Sequence, residues 1–470
     1  MRSHTVGVLR QYAAAISAAI PVFIVGSWIS WPSSAVKSIL SGETNLDITP
    51  EELSWVVALL DLGNALSPIP SSFVSNWLGR KPTLVALSVS FLVASLLVVF
   101  ATNVYYLYVA RLIIGIGKGL AFTVVPIYLG ETAGTKVRGS VGTLFLGLMN
   151  YGILFELCIG PLVSYETLNL LSIPFPIIFF LLFFQVPESP YYMLMKGRVK
   201  DAQKSLSWFR SLEEDSAELQ QELKQIATNV EQDMKQRGSY LELINTPSAR
   251  RATLIIMGLA SLQRFTGATC ITAYSTTTLP PTGGYFSPSV YMVFFGITMI
   301  LGQVICSTLV DIFGRKPLLI MSGFGCAVST AASALFYWLD ESHDISAFNW
   351  VPYLGVVIYG VSFSTGLGTI PPIICAELYP ANVRSYAAAV AAIFYAISSF
   401  IINKIYLQIK LSFGIYFMYL FFSLCSILCV VFTSSFIFET SGLTFLEIQT
   451  TLKKKSTYKS TDVVKNGSSS

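Results

Sequence analysis

The chain has 470 residues, of which 53% are hydrophobic and only 12% charged, against about 25% charged in an ordinary soluble domain. Thirty Lys/Arg and 26 Asp/Glu are too few to wet the surface of a soluble chain of this length, and a scattered net charge of +4 excludes a nucleic-acid footprint. Two histidines, His4 and His343, and seven cysteines with no CxxC spacing leave little for metal or acid–base chemistry, so neither a metal nor a cofactor is expected and the thiols read as free and buried.

A membrane helix needs about 20 apolar residues, so twelve would use about 240 positions, half the chain. In chain order, apolar runs predict spans near 11–30, 53–75, 83–101, 105–129, 139–161 and 169–186. The first run reads as a retained span rather than a cleaved leader, because so many others follow it. Residues 187–252 then carry ten Lys/Arg and ten Asp/Glu and read as water-exposed. Within them Leu219, Leu223, Ile226 and Val230 fall at helical spacing, and Ser239 with Glu242 resembles a capping box. Six further spans follow near 253–274, 288–310, 317–339, 351–375, 385–408 and 412–437. The expectation is an all-α membrane protein with twelve transmembrane helices in two six-helix pseudo-repeats. Its parts are an N-terminal bundle (1–186), a linker with short amphipathic helices (187–252), a C-terminal bundle (253–437) and a tail (438–470).

With an even number of spans both termini share one side. That side, with the linker, holds 24 of the 30 Lys/Arg, leaving Lys37, Lys404 and Lys410 opposite and Arg111, Lys118 and Arg264 inside spans. The positive-inside rule then puts both termini in the cytoplasm. The sequon at Asn466 lies in that tail and is expected to be silent, and Lys453 to Lys455 read as a solvated positive end.

The two halves repeat each other in register. Asn76-Trp-Leu-Gly79-Arg80-Lys81-Pro82 matches Asp311-Ile-Phe-Gly314-Arg315-Lys316-Pro317. Pro126 to Glu131, with Arg138 following, matches Pro372 to Glu377 with Arg384 following, and Glu188 matches Glu439. Charges at partly dry helix ends are costly alone and stabilised in pairs. Arg80, Glu131, Arg138, Glu188, Asp311, Arg315, Glu377, Arg384 and Glu439 are therefore read as gating salt-bridge residues of a two-state carrier.

At these motifs, and at Arg111, Gly115 and Gln263 to Gly267, the chain resembles the sugar porter family of the major facilitator superfamily over nearly its whole length. Within it the resemblance is strongest to the insect facilitated trehalose transporters and weaker to the facilitative glucose transporters. It implies two six-helix bundles with a substrate site between them near the bilayer midplane, worked by a rocker-switch. It also implies a plasma-membrane carrier whose partners are a sugar and membrane lipid. The substrate-binding residues implied are Gln263, Arg264, Thr266 and Thr269.

The match thins in the binding region. The seventh span of sugar porters usually reads Gln-Gln-x-Ser-Gly-Ile-Asn, and here Arg264 replaces the second Gln and Thr269 the Asn. Polar family positions elsewhere fall on Leu146, Met299, Pro371-Pro372 and Tyr395-Ala396. The first-span Asp of proton-coupled members is Val25, which favours facilitated transport, although Asp61 and Glu156 keep coupling open. Asp61, Lys118, Glu156 and Arg264 lie inside spans, and each needs a partner or a wet cavity. Arg264 is expected to face the cavity and to bind an anionic group, Asp61 or Glu156. Gly115-Ile-Gly-Lys118-Gly reads as close helix packing rather than a nucleotide loop. The reading is a facilitative sugar transporter, not an enzyme. Alternatives keep the fold with a non-sugar, anionic cargo, or make it a non-transporting nutrient sensor.

Overall fold

A computed structural model describes residues 2–44, 46–134, 137–235, 238–280, 286–443, 447–448 and 450–452, leaving the side chains of 2–4, 138, 143, 146, 275 and 381 undescribed. Lys453 to Lys455 and Asn466 lie outside the described residues, as does the side chain of His4. Among the described residues the regular structure is helical throughout. Among the described residues ten helices are long and apolar enough to cross a bilayer, or eleven when a pair bent by 53°, Pro50–Leu66 and Pro68–Leu78, is counted as the second span. The remaining, tenth span is broken into Trp350–Ser364 and Ile370–Leu378. The result is the twelve-helix fold that the apolar runs predict.

Local chemistry explains where the helices begin and bend. The second span starts in a capping box, in which Glu52 N donates to Thr49 Oγ1 at 3.3 Å and Thr49 N to Glu52 Oε2 at 2.9 Å. Its bend falls at Pro68, which supplies no N–H to the preceding turn. The seventh span, Pro247–Phe265 then Ala268–Thr278, starts at Thr246, whose hydroxyl accepts from Ala249 N at 3.1 Å. The third and ninth spans, Arg80–Val99 and Arg315–Asp340, each begin after a glycine of positive φ, Gly79 at 113° and Gly314 at 86°.

The chain forms two compact units. The first comprises Met1–Gln236 with Thr269–Thr278 of the seventh span and Asn403–Gln408 of the eleventh; the second comprises Arg237–Ala268, Leu279–Ile402 and Ile409–Ser470. In the first unit, small residues bring the second and fourth (Val104–Thr132) spans together. A Cβ on Gly115 would meet the Leu60 carbonyl, and one on Gly63 the Leu112 carbonyl. The seventh-span stretch of this unit is held by Tyr274, which stacks on Tyr406 with ring centroids 4.6 Å apart and donates to the Asn403 carbonyl at 3.3 Å.

The linker forms the helices Val199–Arg210 and Ala217–Lys235, which bury Ala202, Leu206, Leu219 and Leu223 in a small core joined by Ile226. Ser239 N donates to Glu242 Oε1 at 3.1 Å. Arg210 ties this layer to the fourth span, donating to the Thr132 carbonyl at 3.1 Å and gripping Glu222 at 2.7 Å.

Candidate functional site

Each unit carries one charged corner at the start of its third or ninth span. In the first, the Arg80 guanidinium takes both oxygens of Glu131, the nearer at 2.9 Å, and also donates to the Ser75 carbonyl and Asn76 Oδ1, each at 3.1 Å. In the second, Arg315 pairs with Glu377 at 3.0 Å and donates to the Val310 carbonyl at 3.1 Å and Asp311 Oδ1 at 3.2 Å. Lys81 Nζ donates to the Phe184 carbonyl and Lys316 Nζ to the Ser434 carbonyl, both at 2.8 Å. The duplication seen in the residues is therefore a duplication of contacts.

Glu188 and Glu439 complete the corners by capping helix starts with carboxylates, where the helix dipole and unpaired N–H groups favour negative charge. Glu188 accepts from Lys81 N and Ser189 N at 3.1 and 2.8 Å. Glu439 accepts from Arg315 N, Lys316 N, Thr440 N and Ser441 N at 2.9–3.0 Å. Gly79 and Gly314 hold φ of 113° and 86°, a conformation that strains any residue with a Cβ, which is why glycine stands at both positions beside the capping carboxylates. The two caps differ electrostatically. Burial raises the Glu188 carboxyl above its ordinary 4.5, against the pull of the Ser189 and Lys81 amides. Burial also pushes Glu439 up, but its four amide donors outweigh this and hold it below the ordinary value.

The other charged residues of the repeat are placed differently. Arg138 starts the fifth span, Arg138–Ile159, and its side chain is outside the described residues. Arg384 is exposed on the eleventh span and makes no ion pair among the described residues, since Glu377 is already engaged by Arg315 and by the Thr440 hydroxyl at 2.5 Å.

The seventh-span residues divide between the units. In the second unit Gln263 is buried and its amide donates to the Leu367 carbonyl, while its Oε1 has no hydrogen-bond partner among the described residues. Leu367 lies in the break of the tenth span, and its N–H donates to Ser322 Oγ at 2.9 Å. Both backbone groups of Leu367 thus find side chains, as a broken helix in lipid requires of the groups it frees. The Thr266 hydroxyl lies 3.1 Å from the Tyr359 hydroxyl. Arg264 sits over the Tyr395 ring, 5.1 Å from its centroid, and its Nε has no hydrogen-bond partner among the described residues. Thr269 belongs to the first unit, next to Cys270, whose thiol donates to Asn403 Oδ1 at 3.2 Å.

Four other charges inside spans, Arg111, Asp61, Lys118 and Glu156, have partners within the first unit. Arg111 is fully buried and donates to the Val56 and Trp28 carbonyls at 2.9 and 2.6 Å, with Trp31 under its guanidinium. Asp61 takes Lys118 at 3.2 Å and the Asn403 amide at 2.8 Å. Glu156 accepts from Ser27 Oγ at 2.6 Å. Asn403 and Ser322 have no signal beside them in the sequence that sets them apart, and Thr440 and Ser441 stand out there only as neighbours of Glu439.

Two six-helix halves, each braced by the same Arg–Glu corner among apolar spans, define a multi-pass membrane carrier of the major facilitator fold. The family described as "Sugar (and other) transporter" matches residues 22–452, and the chain belongs to it. It is 28% identical over 440 residues to the facilitated trehalose transporter Tret1 of Apis mellifera ligustica, covering 93% of this chain and 87% of that one. To the Tret1 of Polypedilum vanderplanki it is 29% identical over 442 residues, with the same coverage. Among solved structures, the partially occluded inward-open xylose transporter XylE from E. coli aligns with a TM-score of 0.75 at 20% identity, over 92% of this chain and 99% of that one. The proton:xylose symporter XylE bound to 6-bromo-6-deoxy-D-glucose aligns with a TM-score of 0.72 at 19% identity, over 94% and 99%. At these identities the likeness is one of fold.

Proposed function

We propose that this chain is a facilitative carrier of trehalose or a hexose in the plasma membrane. It works by alternating access between two six-helix bundles, 1–186 and 253–437, with the linker 187–252, the tail 438–470 and both termini in the cytoplasm. The observation that carries this reading is the pair of charged corners. The same residue types make the same contacts at the same helix ends in each half, as a carrier built from two equivalent gates needs. Such pairs latch span ends in one state and release them in the other, the two-state element that a moving carrier uses. The names of the Tret1 relatives support trehalose as the first cargo to try. Val25, at the position of the family's proton-coupling carboxylate, supports uniport.

Within this proposal Gln263, Arg264, Thr266 and Thr269 contact the substrate, with Arg80, Glu131, Arg138, Glu188, Asp311, Arg315, Glu377, Arg384 and Glu439 as gating residues. The test is uptake of labelled trehalose and glucose by the purified protein in liposomes. Saturable, counterflow-competent uptake that does not depend on a proton gradient is expected. Folded protein that moves neither sugar would overturn the reading.

A further inference from the structure

Arg264 stands apart from the other cations inside the spans. Arg111 has backbone carbonyls and Lys118 has Asp61. Among the described residues Arg264 has no carboxylate within ion-pair distance, and its buried Nε donates to nothing. A charge left without a counter-ion in the membrane interior costs several kcal/mol. The Tyr395 ring offsets part of this by attraction to its π face, but it accepts none of the guanidinium N–H groups in the ring plane. Position in the last turn of Pro247–Phe265 adds favourable interaction with the helix dipole, which also supplies no counter-ion.

One residue earlier, Gln263 holds a second unmet demand of opposite kind. Its amide nitrogen is committed to the Leu367 carbonyl, and its bare Oε1 can only accept a hydrogen bond. The same helix end thus offers a planar cationic fork in want of an anion and an acceptor in want of a hydroxyl. A guanidinium fork matches carboxylate and phosphate geometry, and charge-assisted bonds of this kind are roughly twice as strong as neutral ones.

We propose that Arg264 sets the specificity of the seventh-span site for an acidic sugar, one bearing a carboxylate or phosphate beside its hydroxyls. This rests on the sugar-carrier reading and narrows its substrate class.

The test is direct uptake into liposomes, at matched ionic strength, of labelled glucose, trehalose, glucuronate and glucose 6-phosphate, with KM for each. The expected result is that glucuronate or glucose 6-phosphate is taken up with a KM at least about tenfold below that of glucose, the two arms separating carboxylate from phosphate. Arg264→Gln should then raise the KM of the preferred anion by roughly 10- to 100-fold and lower that of glucose. Arg264→Lys, which keeps the charge but not the fork, should retain an intermediate preference. The proposal is overturned if wild-type protein moves glucose or trehalose with no preference for either anion, or if the preference survives Arg264→Gln. A Gln variant that loses only thermal stability would make Arg264 a helix-terminus residue and nothing more. Uptake of an acidic sugar without any neutral one would retire the trehalose or hexose reading while sustaining this one. If none of the four sugars moves, both fail.

Discussion

Glu188 and Glu439 occupy equivalent places, yet their environments give them opposite acid–base behaviour. The Glu439 carboxyl lies below the ordinary value, so its contribution to stability is fully present above about pH 4.5 and is lost as pH falls through its folded-state value. The Glu188 carboxyl lies above the ordinary value, so its contribution is largest below 4.5 and fades as pH rises through its folded-state value. Glu439→Gln should therefore lower the melting temperature at pH 7, by an amount corresponding to a helix cap of about 0.5–2 kcal/mol. Glu188→Gln should cost less at that pH, and its deficit should grow on acidification toward 4.5. Thermal unfolding of both variants in detergent across this range checks the order; a larger loss for Glu188→Gln at pH 7 would contradict it. In the sequence Glu188 and Glu439 showed only as matched positions of the repeat; that they cap the helix starts after Gly79 and Gly314 came from the structure.

At the scale of whole helices, the Arg–Glu corners hold the third span to the fourth, and the ninth to the tenth. They differ in dryness. The side chains of Arg80 and Glu131 are 5% and 12% exposed, those of Arg315 and Glu377 14% and 24%. Removing one partner of a buried pair strands the other charge and costs roughly 3–5 kcal/mol, whereas exposed pairs are worth about 1 kcal/mol or less. Glu131→Gln should thus destabilise the protein more than Glu377→Gln. The measurement is the melting temperature of each variant, and equal losses would mean that the pairs are equally screened. Glu377→Gln, the milder change, is the better probe of the proposed gate: cysteine accessibility on both faces should shift, and unchanged labelling would mean that the corner is not a gate. The helices themselves were legible from apolar runs and from Leu219, Leu223, Ile226 and Val230. The break in the tenth span falls between Ser364 and Ile370, at Gly366 and Gly368, and its anchors lie far off in the chain. Ser322 and Gln263 reach Leu367 from sequence separations of 45 and 104, distances over which no local pattern carries information.

For the whole molecule, the asymmetry of charge makes a prediction about sidedness. If the side holding 24 of the 30 Lys/Arg is cytoplasmic, short peptide tags at either terminus should be hidden from impermeant labels on intact cells and reached only after permeabilisation. Labelling of either terminus on intact cells would reverse the proposed orientation. Composition alone required lipid as the main solvent, because 12% charged residues cannot cover a soluble surface of this size. Periodicity and the internal repeat dictated twelve helices in two halves, since each span must satisfy its own backbone and each repeated motif sits at the same helix end. What only tertiary structure decided is which charges neutralise one another. Asp61 turned out to answer Lys118 and Asn403, the latter 342 residues away, Glu156 to answer Ser27, and Arg264 to rest on Tyr395 with no anion beside it among the described residues. The physical reason is that a charge in a dry interior is balanced by whatever packs against it. Which groups pack together depends on how the helices are arranged in space, and composition and local spacing do not encode that arrangement.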